Sequence, residues 1–275
     1  MSYKTILVHV DHSRHAEGRI RSAAALALAG QAHLIGSAMS GVSRYIYQDS
    51  GMDLARTVLA THMDALYARA NAALDQFDRI AAGAGLDSFE RRLVDDEADG
   101  ALALQARYAD LVVVSQSDPE DPARIAPDLP QYVMFSSARP VLILPFAGSF
   151  PEIGTRALLA WDGSVAATRA VAGALPLLRR AQQVTVAVFN PGEEHGPQPG
   201  HELALYLARH GVTAEVAVQH TSIDTGEAIL SLAADLDANL LVMGGYGHTR
   251  FRELILGGVT ATILASMTAP VLMAH

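Results

Sequence analysis

Three apolar segments of this chain recur, in the same order, in its second half. Lys4–Ser13 is a strand-like run closing on Asp11 and Ser13, and Arg156–Ser164 closes in the same way on Asp162 and Ser164. Ala109–Ser115 is repeated as Ala238–Gly244, and Ala138–Leu144 as Thr268–Ala274. Matched pieces in conserved order are the mark of a duplicated domain. The spacing is uneven. Asp11 and Asp162 are 151 positions apart and Asp110 and Asn239 only 129, so the first copy carries 22 extra residues between those points. Leu54, Val58, Met63, Leu66, Ala70, Leu74, Phe77 and Ala81 recur at nearly helical spacing, which predicts an additional helix near 52–83. Phe146–Gly154 is rich in turn formers and predicts a boundary between domains at 1–148 and 152–275.

Within each copy, short apolar runs alternate with Ala/Leu-rich helical segments. In the second copy strands are expected near 155–160, 183–189, 213–219, 239–243 and 270–274, with helices between them. That alternation predicts an α/β protein of two tandem doubly wound domains. Each would be a five-stranded, mainly parallel sheet with helices on both faces. Runs such as Leu111–Val114 carry no polar face, as strands covered on both sides require. Ligands of such sheets sit beyond the carboxyl ends of the strands. Asp162 and Gly244 both follow strand ends, so they can share one crevice.

The stretch after the fourth strand of the second copy is rich in glycine, with Gly244, Gly247 and Gly257 ahead of a helical pattern. Backbone N–H groups in a glycine loop before a helix N-terminus can hold phosphate. The chain's single lysine, Lys4, leaves no Walker loop and no candidate Schiff-base lysine. It has no cysteine, which excludes disulfides, thiolate metal sites and cysteine nucleophiles. A net charge of −9 argues against nucleic acid and anionic membrane as partners. No apolar stretch reaches the length of a membrane span, and no signal-peptide core opens the chain, so a cytoplasmic location is expected.

These residues resemble the universal stress protein family in its tandem form. Gly244, Gly247 and Gly257 match the family's Gly-X2-Gly-X9-Gly spacing, and Asp162 and Ser164 match its first-strand Asp-X-Ser. Gly258 departs from the pattern, standing where the family places Ser or Thr. The resemblance implies an adenine nucleotide α-hydrolase-like fold and ATP, with or without magnesium, in the second domain. Asp162 would accept hydrogen bonds from the ribose, with Ala160 and Trp161 beside it. Gly244, Gly247, Gly257 and Gly258 would present N–H groups to phosphates, and Val259 and Thr260 would start the helix facing them. Val188 or Phe189 would lie near adenine, with Met243 lining the pocket. His248 would contact phosphate or face solvent, and Arg250 and Arg252 would supply positive charge or form a solvated face. Asp162 and Ser164 also suit capping of the following helix.

The first copy lacks this chemistry. Ser115–Pro130 contains no glycine and adds Asp118, Glu120, Asp121 and Asp128, which repel phosphate. One nucleotide site per chain is therefore expected, with Asp11 and Ser13 reduced to helix caps. His9, His12 and His15 form no recognisable metal set, so no metal site is assigned. Nor is a catalytic group assigned, because no Walker lysine or carboxylate pair accompanies the loop. The expected function is a cytoplasmic stress-response sensor or adaptor that binds ATP, with little or slow hydrolysis. The alternatives are a nucleotide-free scaffold acting through dimer surfaces and a slow ATPase. The resemblance also implies an intramolecular pseudo-dimer, with Val141–Leu144 and Val271–Ala274 as candidate contact strands, and allows a homodimer. The extra helix would cover the sheet, meet a partner or enclose a non-nucleotide ligand.

Overall fold

A computed structural model of the chain describes residues 2–41, 53–121, 128–192, 196–245 and 258–275, with side chains of the long first-half helix described from His62 onward. It forms two compact units, Ser2–Ser137 and Ala138–His275.

The Ser2–Ser137 unit runs β1 (Thr5–His9), α1 (Ala16–Gly30), β2 (His33–Met39), α2 (Asp53–Gly83), β3 (Phe89–Val94), α3 (Ala98–Ala106), β4 (Leu111–Ser115) and α4 (Leu129–Ser136). Its strands are parallel in the order β3-β2-β1-β4. Ile6, Leu7, Val8 and Leu111–Val114 are buried on both sides of the sheet, which explains why those runs need no polar alternation. The predicted extra helix is present as α2. Its Phe77 is fully buried and meets Phe89 of β3 edge-on, with ring centroids 5.9 Å apart.

The Ala138–His275 unit contains β5 (Val141–Leu144), β6 (Arg156–Ala160), α5 (Val165–Leu178), β7 (Gln183–Phe189), α6 (His201–Arg209), β8 (Glu215–Gln219), α7 (Thr225–Asp235), β9 (Leu240–Gly244), α8 (Gly258–Ser266) and β10 (Val271–Ala274). The order is β5-β10-β9-β6-β7-β8, all parallel except β5. β5 closes the first sequence repeat, yet it pairs antiparallel with β10, Val271 opposite Ile143. The sequence repeat ends near residue 148 and the compact unit at Ser137 for this reason. The pairing satisfies an edge of β10 that would otherwise be left open. Among the described residues each repeat thus contributes five strands, β1–β5 and β6–β10.

The duplication is visible in matched local chemistry. Asp110 Oδ2 accepts hydrogen bonds from the Lys4 and Thr5 amides at 2.7 and 3.0 Å. Asn239 Oδ1 accepts from the Gly154 and Arg156 amides at 3.1 and 3.0 Å. In both units a side chain just before the fourth strand of the repeat ties down the start of its first strand.

Among the described residues, no helix is long and apolar enough to cross a membrane.

Candidate functional site

In the Ala138–His275 unit the chain passes from β6 outward through β7 and β8, then returns to the other side of β6 as β9 and β10. The order reverses between β6 and β9, which is where a doubly wound sheet opens a crevice. Ala160 and Met243 are register partners at the carboxyl ends of those strands. Trp161 and Asp162 therefore emerge beside Gly244 and Gly245.

Asp162 is exposed, and its Oδ1 accepts from the Ser164 amide at 2.9 Å. Ser164 is the N-cap of α5, its Oγ accepting from the Ala167 amide at 3.0 Å. The two residues divide the local work, Ser164 capping the helix and Asp162 fixing the turn that leads into it. Val188 is fully buried, Phe189 at the end of β7 is half-buried, and Met243 is buried. α8 begins at the exposed Gly258, with Val259 half-buried and Thr260 buried. Gly247, His248, Arg250, Arg252 and Gly257 lie outside the described residues.

Two details were not anticipated. A Cβ at Gly244 would stand 2.5 Å from the Ala167 amide nitrogen and 2.9 Å from the Ala166 carbonyl carbon. This glycine is required for β9 to end directly against the first turn of α5, whatever the crevice holds. Asp224 is the second detail. Its Oδ1 accepts from the Glu227 amide at 3.1 Å and caps α7, while Oδ2 lies 4.0 Å from where a Cβ at Gly258 would be. Asp224 and Glu227 have the spacing of a capping box, the signal that could have placed Asp224 at a helix start. Its approach to α8 depends on tertiary packing and has no local signal.

The corresponding crevice of the Ser2–Ser137 unit, between the ends of β1 and β4, is built differently. Arg19 of α1 is 3% exposed. Its Nε donates to the His9 carbonyl at 2.8 Å, Nη1 to Ser115 Oγ at 2.7 Å and Nη2 to Asp11 Oδ1 at 2.8 Å. One guanidinium thus joins the ends of β1 and β4. The same Asp11 oxygen accepts from the Ser13 amide and hydroxyl at 3.0 and 2.6 Å. Burial pushes the Asp11 carboxyl up, but Arg19, His9 and the Ser13 hydroxyl outweigh it and hold the group well below the usual carboxylate range. The Asp11–Ser13 bonds make a turn rather than a helix cap. α1 starts after His15, with no side-chain cap, so the expectation that Asp11 and Ser13 cap this helix is corrected. The 151-position offset pairs Arg19 with Ala170. A lone arginine on the buried face of an alanine-rich helix was the available sign of this ion pair.

Asp118, one of the acidic residues expected to repel phosphate, is buried and accepts from Arg14 and His15. Its bond from Arg14 leads the effects that hold its carboxyl down to about 2. Among the described residues, no group of three or more His, Asp and Glu side chains is arranged to hold a metal ion. His12 accepts from Arg69, His15 meets Asp118 at 2.7 Å, and His9 Nδ1 stands 3.6 Å from Asp11.

Residues 155–275 match the model of the Universal stress protein family. A stretch of 152 residues is 31% identical to Universal stress protein Slr1230 of Synechocystis, covering 51% of this chain and 48% of that protein, so the match spans about half the relative's length. The fold resembles that of a universal stress protein from Archaeoglobus fulgidus with a TM-score of 0.73, 14% identity, and coverage of 98% of this chain and 97% of the other. It also resembles a putative universal stress protein from Pseudomonas aeruginosa, with a TM-score of 0.62, 18% identity and coverage of 98% and 92%. At these identities the structural likeness speaks for the α/β fold, and it extends over both units. Residues 155–275 are thus similar to the universal stress protein family.

Proposed function

We propose that the Ala138–His275 unit binds ATP in the crevice between β6 and β9 and acts as a cytoplasmic stress-response sensor or adaptor, with little or slow hydrolysis. The observation that carries this reading is the pairing of Ala160 with Met243. It brings the exposed Asp162 carboxylate and the start of the Gly244 loop to one edge of the sheet, at the point where strand order reverses. Asp162 spends one oxygen on the Ser164 amide and keeps the other for ribose hydroxyls. The first turn of α8, opening at Gly258, offers N–H groups to phosphate. Asp224 works against this at short range by placing a carboxylate beside the same turn. Magnesium-bound ATP, with less negative charge, suits that surrounding better than free ATP.

The nucleotide-free scaffold is the second reading, and Gly244 favours it. Packing against α5 accounts for that glycine without any ligand. Self-association, as an internal pseudo-dimer or a homodimer, belongs with either reading. Its support is the antiparallel β5–β10 pair, in which the last strands of the two sequence repeats meet.

Calorimetric titration of Mg-ATP into nucleotide-stripped protein tests the proposal. Saturation at one site per chain, lost in Gly247→Asp, is the expected result. No heat at millimolar ATP would leave the scaffold. A second expectation concerns the family departure. Among the described residues only Asp224 Oδ2, at 4.0 Å, stands near a Cβ at Gly258, so serine meets no steric conflict from them. Gly258→Ser should tighten ATP by about tenfold to a hundredfold, the worth of a hydrogen bond to a charged group. Unchanged affinity in the same titration would mean that phosphate does not reach the α8 start.

A further inference from the structure

The crevice of the Ser2–Ser137 unit is a partly open pocket of about 120 Å³. Its floor is the carboxyl ends of β1 and β4. One wall comes from α2, through Leu66, Arg69, Ala70 and Ala73, and that helix belongs to the insertion that the second repeat lacks. The volume is well under the roughly 300–1,000 Å³ of sites for drug-sized ligands, so a nucleotide is too large and a molecule of a few heavy atoms fits.

The charges lining the pocket are already largely spent on one another. Asp11 is taken by Arg19 and Ser13, and Asp118 by Arg14 and His15. Asp121 has interactions of its own and acts on His12 through space. Arg69 stands apart. Its guanidinium donates to His12 Nε2, and among the described residues no carboxylate pairs with it. Burial and the adjacent Arg69 both lower the His12 pKa, which keeps that ring a neutral acceptor. His9 also lines the pocket, its Nδ1 3.6 Å from Asp11 Oδ2. Its side chain is 9% exposed, and its ring makes no hydrogen bond among the described residues. A neutral imidazole still carries one N–H to give.

We infer that this pocket binds a small organic carboxylate, its anionic head held by the Arg69 guanidinium and the His9 ring N–H, and its short apolar stem against Met39, Leu66, Ala70 and Ala73. Both donors line this one pocket. Unpaired positive charge selects an anion, and the alanine, leucine and methionine wall selects a carbon chain over a bare inorganic ion. The site is independent of nucleotide binding in the other unit, and its test is separable from that one.

The probe is sodium butyrate, titrated calorimetrically into the full chain at constant ionic strength, with 1-butanol and inorganic phosphate as the two reference ligands. The expected result is saturation at one site per chain and weakening of about tenfold or more in Arg69→Gln, a change at an exposed side chain that leaves the fold intact. Gly247→Asp, which removes the nucleotide loop, should leave butyrate binding unchanged. Equal affinity for 1-butanol would mean an apolar pocket only. Equal affinity for phosphate would mean a plain anion site. Either outcome, or no saturation by about 50 mM, a weak limit for so small a ligand, overturns the inference.

Discussion

Replacing Arg19 by alanine is expected to destabilise the Ser2–Ser137 unit by about 3–5 kcal/mol, the cost of stranding one member of a buried ion pair. The arginine side chain is 2% exposed and that of Asp11 20%, so water does little to screen the loss. The substitution also removes donors from the His9 carbonyl and Ser115 Oγ, opening the junction between β1 and β4. A loss of this size is a large part of an ordinary domain's stability. Residue-resolved hydrogen exchange reads it best, because two compact units in one chain need not unfold in a single step. Protection should fall at the β1 and β4 amides and hold at those of β6 and β9. Arg19→Met combined with Asp11→Asn should recover much of the loss, since a buried pair replaced on both sides is often nearly neutral.

The same pair fixes a pH dependence. The folded Asp11 carboxyl titrates well below its ordinary value of 3.8, so the unfolded state binds a proton first as the solution is acidified. Its contribution is fully present above about pH 4 and is lost as pH falls toward the folded value. Arg19→Ala removes the main cause of the depression, so the variant should lose less stability than the parent over that acid range. His9 shifts the same way. Burial lowers it from 6.5 to about 4, so it is neutral near pH 7, and its contribution is lost as pH falls from about 6.5 toward 4, before that of Asp11 begins to fall.

What the sequence revealed and what it concealed follow from the range of the forces involved. The strands were legible because burial on both faces leaves continuous apolar runs, and α2 was legible because one buried stripe leaves a helical period through Met63, Leu66, Ala70, Leu74 and Phe77. Asp162 and Ser164 were legible as a pair because turn and cap chemistry is local. Their division of labour, with Ser164 capping α5 and Asp162 left exposed, depends on side-chain rotamers and had no separate signal. The pairing of β5 with β10 instead of a simple division at residue 148 rests on edge-to-edge hydrogen bonds between distant strands. The Arg19 network, and the approach of Asp224 to Gly258, bring together residues from different elements. Comparison of the two repeats exposes the first, through the Arg19 and Ala170 correspondence, but nothing local exposes the second.

Phe77→Ala should be as damaging as loss of Arg19, by about 3–5 kcal/mol, because it empties a fully buried aromatic site. The ring is the point where α2 is fastened to the sheet. Three of its atoms stand 2.7 Å from where a Cβ at Gly36 of β2 would lie, and it meets the Phe89 ring of β3 at 78°. Gly36 is thus the hole and Phe77 the knob, which gives the prediction a second arm. Gly36→Ala alone should destabilise, since the fully buried ring has no free volume into which to retreat. Gly36→Ala with Phe77→Leu should cost less than the sum of the two single changes, because the shorter side chain gives back the space that the new methyl takes. Urea unfolding of the four proteins measures the coupling. Strict additivity would mean that α2 is held elsewhere along its length. Coupling would mean that the insertion is clamped to the sheet at β2, one to two turns beyond Arg69, Ala70 and Ala73, so that the helix presents a fixed wall to the crevice of its unit.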